Sequence, residues 1–402
     1  MLSFKERQNL LRHGRATAAW EGEPKLGGIY GEEEIEAAVA AMRRASNIHE
    51  GFGFSGYPIP EFETAFAAHM GADHAVAINS AGPGLDMAMK YLALQPGDEV
   101  IVQAINFVAA PLAIMGAGGQ VVWAEVDEKT LQLDPEDVER RITPRTRAIL
   151  PVHMNGLAAP IDDLLEIADR HPHPMHGPLP VLGDAARATG AEYKGAKVGS
   201  QGMGTVFSLH TMKNISTLGE GGIITTNDAA FAEYCRSTRF YGMLTDSWGT
   251  SNVMTTVQAA VGRVQLQKLD YFVEQRRRLA FERHKMLEDV PEIELPLEPR
   301  DRKHTYYLYT VLVKRDWAGE RRNDLMNIME EEFGIKCIVA NRPCYKDRKI
   351  LREHTRGQEL SLSNEIGERM FCIPIHPAMP DEDNAFICAA LIETVERLKK
   401  AV

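Results

Sequence analysis

The feature that most constrains this chain is an alternation of short apolar runs and helical stretches between about residues 74 and 226. His74-Ala-Val-Ala-Ile78, Glu99-Val-Ile-Val102, Gln120-Val-Val-Trp123, Ala148-Ile-Leu-Pro-Val152 and Pro180-Val-Leu182 read as strands, and Ile223-Ile-Thr-Thr226 as one more. Helical patterns fall between them near 107–116, 134–141 and 160–171. Strands spaced by single helices imply βαβ units, so the expected class is α/β with a mostly parallel central sheet covered on both faces.

A length of 402 residues exceeds what one hydrophobic core usually serves, which predicts a second domain. The texture changes along a long helix expected at 254–289, whose Val257, Val261 and Val264 share a face. Beyond it come a strand over Thr305–Val313 and helices near 322–333 and 382–400. The division expected is an N-terminal segment (1–30), a large domain (31–265) and a smaller α+β C-terminal domain (266–402), which the N-terminal segment can complete. Gly31 starts a helix with Ile35, Val39 and Met42 on one face. Residues 47–60 form a Gly- and Pro-containing loop, and Phe62, Phe66 and Met70 mark a short amphipathic helix.

Charge and cysteine content narrow the class. A net charge of -11 argues against nucleic acid, which needs clustered Lys and Arg; Arg276-Arg277-Arg278 reads as a solvated helix face. Five cysteines without a CxxC spacing fit reduced thiols better than a disulfide frame or a metal site. No signal peptide or membrane span is visible, so the expectation is a cytoplasmic protein with no membrane partner.

Three local patterns carry chemistry. Ile78-Asn-Ser-Ala-Gly-Pro-Gly84 is a strand-to-helix turn of small residues, which exposes backbone N–H groups to a phosphate or is merely a tight turn. Pro180-Val-Leu-Gly-Asp184 puts a carboxylate at a strand's C-terminal end, where open α/β sheets bind ligands, or where it only caps a helix starting after it. Val206-Phe-Ser-Leu-His-Thr-Met-Lys213 runs from a strand into a polar turn, and Gly219-Glu-Gly-Gly222 comes next. A lysine there is by itself an ordinary surface residue. Together and in this order they match the needs of pyridoxal phosphate: an anion site, an aromatic near a strand end, an acid partner for the ring nitrogen and an amine for the aldehyde.

These three stretches resemble the DegT/DnrJ/StrS-type sugar aminotransferases, within the aspartate-aminotransferase fold (fold type I). So do Pro96-Gly-Asp-Glu-Val-Ile-Val102, Ile142-Thr-Pro-Arg-Thr-Arg-Ala-Ile149, Pro151-Val-His-Met-Asn-Gly156, Gly183-Asp-Ala-Ala186, Tyr193-Lys-Gly-Ala-Lys-Val-Gly-Ser200, Gln258-Ala-Ala-Val-Gly262 and Ile373-Pro-Ile-His-Pro377. The resemblance implies Lys213 as the Schiff-base lysine and proton shuttle, and Asp184 as partner of the pyridinium nitrogen. It implies Ser208 and the Ser80-Ala81-Gly82 turn as phosphate ligands and Phe107, after Asn106, as the stacking aromatic. A homodimer with shared active sites is implied as well.

Departures from the family fall within the site. The phosphate cup, usually Ser-Gly-Thr, lacks its second hydroxyl at Ala81 and Gly82. The run after Asp184, usually Ala-Ala-Gln-Ala-His-Gly, carries Arg187 and Thr189. Arg187 either donates to the cofactor's phenolic oxygen or swings out to a substrate anion. The loop Gly249-Thr-Ser-Asn-Val-Met254 would reach the neighbouring site through Ser251 in strict register or Asn252 with a shift of one. Asn155 stands where Tyr is frequent, and Tyr307 where a substrate-facing His is common. His153 ends a strand, as a structural residue or a substrate contact, and His210 is similarly open. Gly51-Phe-Gly-Phe-Ser-Gly56 is a Gly-rich loop able to line a pocket.

The activity implied is amino transfer from glutamate or glutamine to a keto-sugar or keto-cyclitol by a ping-pong route, with pyridoxamine 5'-phosphate as the intermediate form of the cofactor. The Tyr306-Tyr307 doublet leans towards the cyclitol enzymes. A pyridoxal-phosphate enzyme of another reaction type, such as elimination, decarboxylation or carbon–carbon bond formation, is the alternative. A non-catalytic regulator is the remote one.

Overall fold

The computed structural model describes residues 2–14, 29–49 and 56–400. The chain begins with α1 (Phe4–His13), α2 (Glu32–Ala45) and α3 (Ile59–Met70). It then alternates through β1 (His74–Ile78), α4 (Ala81–Tyr91), β2 (Glu99–Gln103), α5 (Ala109–Gly116), β3 (Gln120–Ala124), α6 (Pro135–Arg141), β4 (Thr146–Leu150), α7 (Ile161–Arg170) and β5 (Leu182–Asp184). After the two-residue strands β6 (Glu192–Tyr193) and β7 (Ala196–Lys197) come β8 (Gly204–Ser208), β9 (Gly222–Thr226), α8 (Ala229–Thr238) and the long α9 (Thr256–Leu287). The remainder is β10 (Ile293–Glu294), β11 (Arg302–Lys303), β12 (Tyr309–Val313), α10 (Glu320–Phe333), α11 (Cys344–Asp347), α12 (Lys349–His354), α13 (Ser361–Arg369), β13 (Met370–Ile373) and α14 (Asp381–Lys400).

The central sheet runs in the order β1-β9-β8-β5-β4-β2-β3. Two ladders, β1-β9-β8-β5 and β3-β2-β4, are joined by parallel bridges from Ile149 to Val181 and from Val152 to Asp184. Among the described strands of this sheet only β9 runs against its neighbours, so the sheet is mostly parallel as its βαβ pattern requires. Both faces are buried. Val76, Ile78, Val206 and Ile224 pack with Leu85 on one side, while Ala75, Ala77, Phe207 and Ile223 pack with Phe62 and Phe66 on the other. Neighbouring residues of a strand thus serve different cores, which is why the strands read as continuous apolar runs.

The smaller domain is built on the antiparallel sheet β10-β12-β13. Its core includes Leu279 from α9, Val311, Trp317, Phe371 and Leu391, with Leu2 and Leu11 packed against it. The N-terminal helix α1 packs on this core, and Arg7 fixes it to α14 through a double hydrogen bond to Glu396 at 2.6 and 2.8 Å.

Two local readings need correction. Of the three consecutive arginines, Arg276 is not solvated: it is buried and donates to the carbonyls of Tyr307 (3.4 Å) and Ile375 (3.0 Å). Arg277 binds Glu298 and the carbonyl of His304, and only Arg278 is an outer residue, facing Glu282 and Asp381. The reason is that α9 runs beneath the segment entering β12, whose carbonyls are not all spent in the ladder. The strand expected over Thr305–Val313 begins only at Tyr309. The preceding backbone bonds instead to the turn at Met154–Gly156: Thr305 N–H to the Gly156 carbonyl at 2.9 Å and Leu308 N–H to that of Asn155 at 3.2 Å. Ile35, Val39 and Met42 share a face of α2 as expected, and that face is the outer one; Ile35 is 52% and Met42 61% exposed. Towards α9 the helix turns Ala41 and a buried Glu34, which receives hydrogen bonds from Gln265 and Lys268.

Candidate active site

A cavity of about 320 Å³ opens at the C-terminal ends of the parallel strands, bounded by Ser80, Asn106, Asp184, Ser208 and Lys213. This is where an open α/β sheet places ligands, because loops splay apart where neighbouring strands lead to opposite faces. Ser80, Ala81 and Gly82 start α4 at the end of β1, and Ser80 makes no side-chain cap. The first-turn N–H groups lack intrahelical partners and so remain available to an anion. The turn sits tightly on β9: a Cβ on Gly222 would come within 2.6 Å of the Ala81 nitrogen and 2.8 Å of the Ser80 carbonyl oxygen.

Asp184 ends β5 as a buried carboxylate whose Oδ1 accepts the Ala186 N–H at 2.9 Å. The next element is the strand β6 rather than a helix, so the carboxylate is not a helix cap. Burial pushes its carboxyl above the usual range, opposed by the Ala186 amide and by the charges of Lys213 and Arg187. Lys213 lies in the β8–β9 connection, held by its N–H to the His210 carbonyl at 2.9 Å. Its Nζ donates to the Tyr307 hydroxyl at 3.3 Å and stands 4.8 Å from that ring's centroid. Ser208 is buried at the end of β8, its Oγ accepting the His210 N–H at 3.3 Å. His210 lines the same cavity with Nε2 3.8 Å from Glu220. Phe107 stands at the mouth, 58% exposed.

Behind the lining residues Lys213 and Arg187 stand Tyr307 and Asn341, from farther along the chain. Arg187 is buried, its guanidinium 5.7 Å from the Tyr307 ring centroid and its Nη2 donating to Asn341 Oδ1 at 2.9 Å. Asn341 belongs to a strap docked onto the end of β2: Pro343 bridges Ile105, the Cys344 N–H reaches the Ala104 carbonyl at 2.9 Å, and the Cys344 thiol donates to the Asn106 carbonyl.

Four positions with expected roles stand apart from the cavity. His153 lies behind β5. Its Nδ1 accepts the Ala159 N–H at 2.9 Å, its Nε2 abuts Gly183, and burial lowers its pKa to about 3, so it is a neutral structural ring. Asn155, at a φ of 58°, belongs to the turn that holds Tyr307 and borders a different cavity, of about 180 Å³ beside Glu128 and Glu294. Asn252 and Ser251 lie outside their own chain's cavity: the Asn252 carbonyl accepts the Asn79 N–H at 3.0 Å, and Ser251 bridges Phe240. The loop at 51–56 lies, up to residue 55, outside the described residues. Conversely, Asn106 and Asn341 bear on the site although sequence reasoning gave neither a role. The position of Asn106 straight after a strand end was a usable signal; Asn341 had none, being joined to Arg187 only by the fold.

The residues present fit pyridoxal phosphate. Both amide atoms of the buried Asn106 side chain, which lines the cavity, lack a partner among the described residues, which leaves a donor and an acceptor for a polar ligand. A Cβ on Gly82 would meet nothing, so the phosphate cup is open, and a buried Asp184 waits for a cation.

Fold and cavity together define a transferase of the pyridoxal-phosphate type, fold type I. The comparisons agree. SpsC, a spore coat polysaccharide biosynthesis protein of Bacillus subtilis, is 31% identical over 386 residues, 92% of this chain and 96% of its own. The dTDP-3-amino-3,4,6-trideoxy-alpha-D-glucose transaminase of Streptomyces venezuelae is 33% identical over 373 residues, 92% of this chain and 94% of its own. The structure of S. venezuelae DesV in complex with a ketimine intermediate superposes with a TM-score of 0.81 at 32% identity, covering 91% of this chain and 96% of that one. This chain belongs to the DegT/DnrJ/EryC1/StrS aminotransferase family, which it matches over residues 31–392. It is an enzyme, an aminotransferase dependent on pyridoxal phosphate.

Proposed function

We propose that the enzyme moves an amino group from glutamate or glutamine to a keto-sugar or keto-cyclitol in two half-reactions that share one cavity. The observation that supports this is the meeting of Lys213, Asp184, Ser208 and the Ser80–Gly82 turn around one space, with the amide of Asn106 unspent beside them. When bound, pyridoxal phosphate supplies a carbonyl that carries the amino group and an electron-withdrawing ring that stabilises charge at the reacting carbon. The chain's residues would do the rest. The amides at the start of α4 and the Ser208 hydroxyl hold the phosphate, with Ala81 and Gly82 contributing backbone only. Phe107 covers the ring, and Asp184 keeps the ring nitrogen protonated by offering a buried carboxylate. Arg187, buried at the wall, presents N–H groups to an oxygen of the cofactor or substrate. Lys213 Nζ takes the proton from the donor's Cα and returns a proton to the acceptor carbon in the second half.

The assembly proposed is a cytoplasmic homodimer in which Asn252 of each chain completes the site of the other. The outward apolar face of α2 and the exposed Tyr241, Met243, Leu244 and Trp248 before that residue support it. The division of labour between residues 31–265 and 266–402 is likewise a proposal; α9 carries that boundary within one helix. The test is absorbance of the purified holoenzyme on adding L-glutamate or L-glutamine without acceptor. Bleaching of the visible band, and its return on adding a keto-sugar, is expected. A band that neither donor alters overturns the donor assignment, and retention of transfer by Lys213→Ala overturns the role of the lysine.

A further inference from the structure

Tyr307 is placed by more constraints than a substrate-binding side chain on a loop would need. It is 1% exposed, yet it precedes β12 rather than sitting in it. Its carbonyl accepts from the buried Arg276 on α9, and its neighbours Thr305 and Leu308 bond to the Met154–Gly156 turn on the other domain. That turn approaches so closely that a Cβ on Gly156, at a φ of 102°, would stand 2.9 Å from the Tyr307 nitrogen. Backbone on both sides therefore fixes the ring. The hydroxyl at its end lies 3.3 Å from Lys213 Nζ, while the ring face carries Nζ at 4.8 Å and the Arg187 guanidinium at 5.7 Å from its centroid.

We propose that Tyr307 is the positioning residue for Lys213 rather than a contact for substrate. A lysine ends in a point charge on a flexible four-carbon stem, so its amine must be held if it is to move protons reproducibly. The Tyr307 hydroxyl oxygen receives one N–H of Lys213, and the ring face attracts its charged form. An amine that donates a hydrogen to the hydroxyl keeps its lone pair uncommitted, which is the state a base needs at the substrate carbon. Arg187, held by Asn341, brings a second cation to within 5.7 Å of the same ring's centroid. The inference rests on the reading of Lys213 as the proton-moving amine.

The experiment separates the two. Cofactor-free Lys213→Ala is mixed with pyridoxal phosphate first; formation of the visible band by this variant would remove the lysine from its role and this inference with it. With no band there, Tyr307→Phe, which keeps the ring and deletes only the hydroxyl, is compared with the parent chain by stopped flow and thermal melting. Expected is a band that forms about tenfold or more slowly, and rate constants of both half-reactions lowered by a similar factor, with the KM of donor and acceptor and the melting temperature unchanged. Band formation at the parental rate, or a rise in the KM of one substrate with kcat intact, would overturn the inference while leaving Lys213 in place.

Discussion

Asp184 shows what a buried carboxylate costs the fold that holds it. Burial without a full counter-charge raises its pKa, so between the unfolded and folded pKa values the native state binds more protons than the unfolded one. Stability of the cofactor-free chain therefore falls as pH rises through that interval and stays lower above it. Asp184→Asn removes this penalty. The variant without cofactor is expected to melt higher than the parent at pH 8, with the gap closing towards pH 4, while its transfer rate falls by roughly a hundredfold or more, the scale of a lost acid–base partner. Equal melting at both pH values would show that the carboxylate is compensated by other groups. The same residue explains why part of the site was legible in the sequence. Asp184, Ser208 and Lys213 lie at or just past strand ends, and strand ends can be read from apolar runs. Asn341 touches Arg187 and Tyr307 touches Lys213 from more than ninety residues away, and no local pattern records such contacts; Tyr307 was named only through the family resemblance and Asn341 not at all.

At the scale of elements, helix and strand identities were legible wherever both faces of the sheet were buried, because the apolar runs were then continuous. They were less so where a backbone partner lay far away. Thr305–Leu308 has strand-forming residues but spends its N–H groups on the turn at Met154–Gly156. The same period that placed Ile35, Val39 and Met42 together on α2 could not say whether that face met the core or the outside. The turn proposed to hold the phosphate depends on an element pair, β9 under α4, and Gly222 is where they touch. Gly222→Ala is expected to push the Ser80–Ala81 backbone away and weaken pyridoxal phosphate binding by about tenfold, roughly 1.4 kcal/mol. Fluorescence titration of the apo-enzyme with the cofactor reads it directly; an unchanged Kd would mean that the turn does not hold the phosphate.

For the whole molecule, the outward face of α2 is the testable surface. Met42→Glu places a charge on that face and is expected to shift sedimentation of the chain from dimer to monomer and to reduce transfer, because each site would lose its neighbour's Asn252. A parent chain that sediments as a monomer overturns the shared site. A second whole-chain property comes from histidines kept neutral by burial: His153 and His304 fall to about 3 and His376 to about 4. Unfolded, these rings titrate near 6.5, so stability is present above that value and is lost as pH falls towards 4. These three rings are expected to contribute about three protons to the uptake on unfolding at pH 5, and His304→Gln to remove one of them. A denaturation midpoint that does not move between pH 7 and 5 would contradict it.

The long helix α9 has a consequence for anyone recombining members of this family. It starts at the large domain, where its Thr255–Gln258 cap also ties down the Glu220 carbonyl behind Lys213, and ends in the small-domain core. A hybrid joined before Thr255 would import a foreign Arg276 and Tyr307 together, as a matched set. One joined after Leu287 would keep the native arginine and pair it with a stranger's tyrosine. Crossovers on either side of a single helix thus create two different libraries, one trading the tyrosine together with its support and the other testing whether the tyrosine tolerates an unfamiliar support.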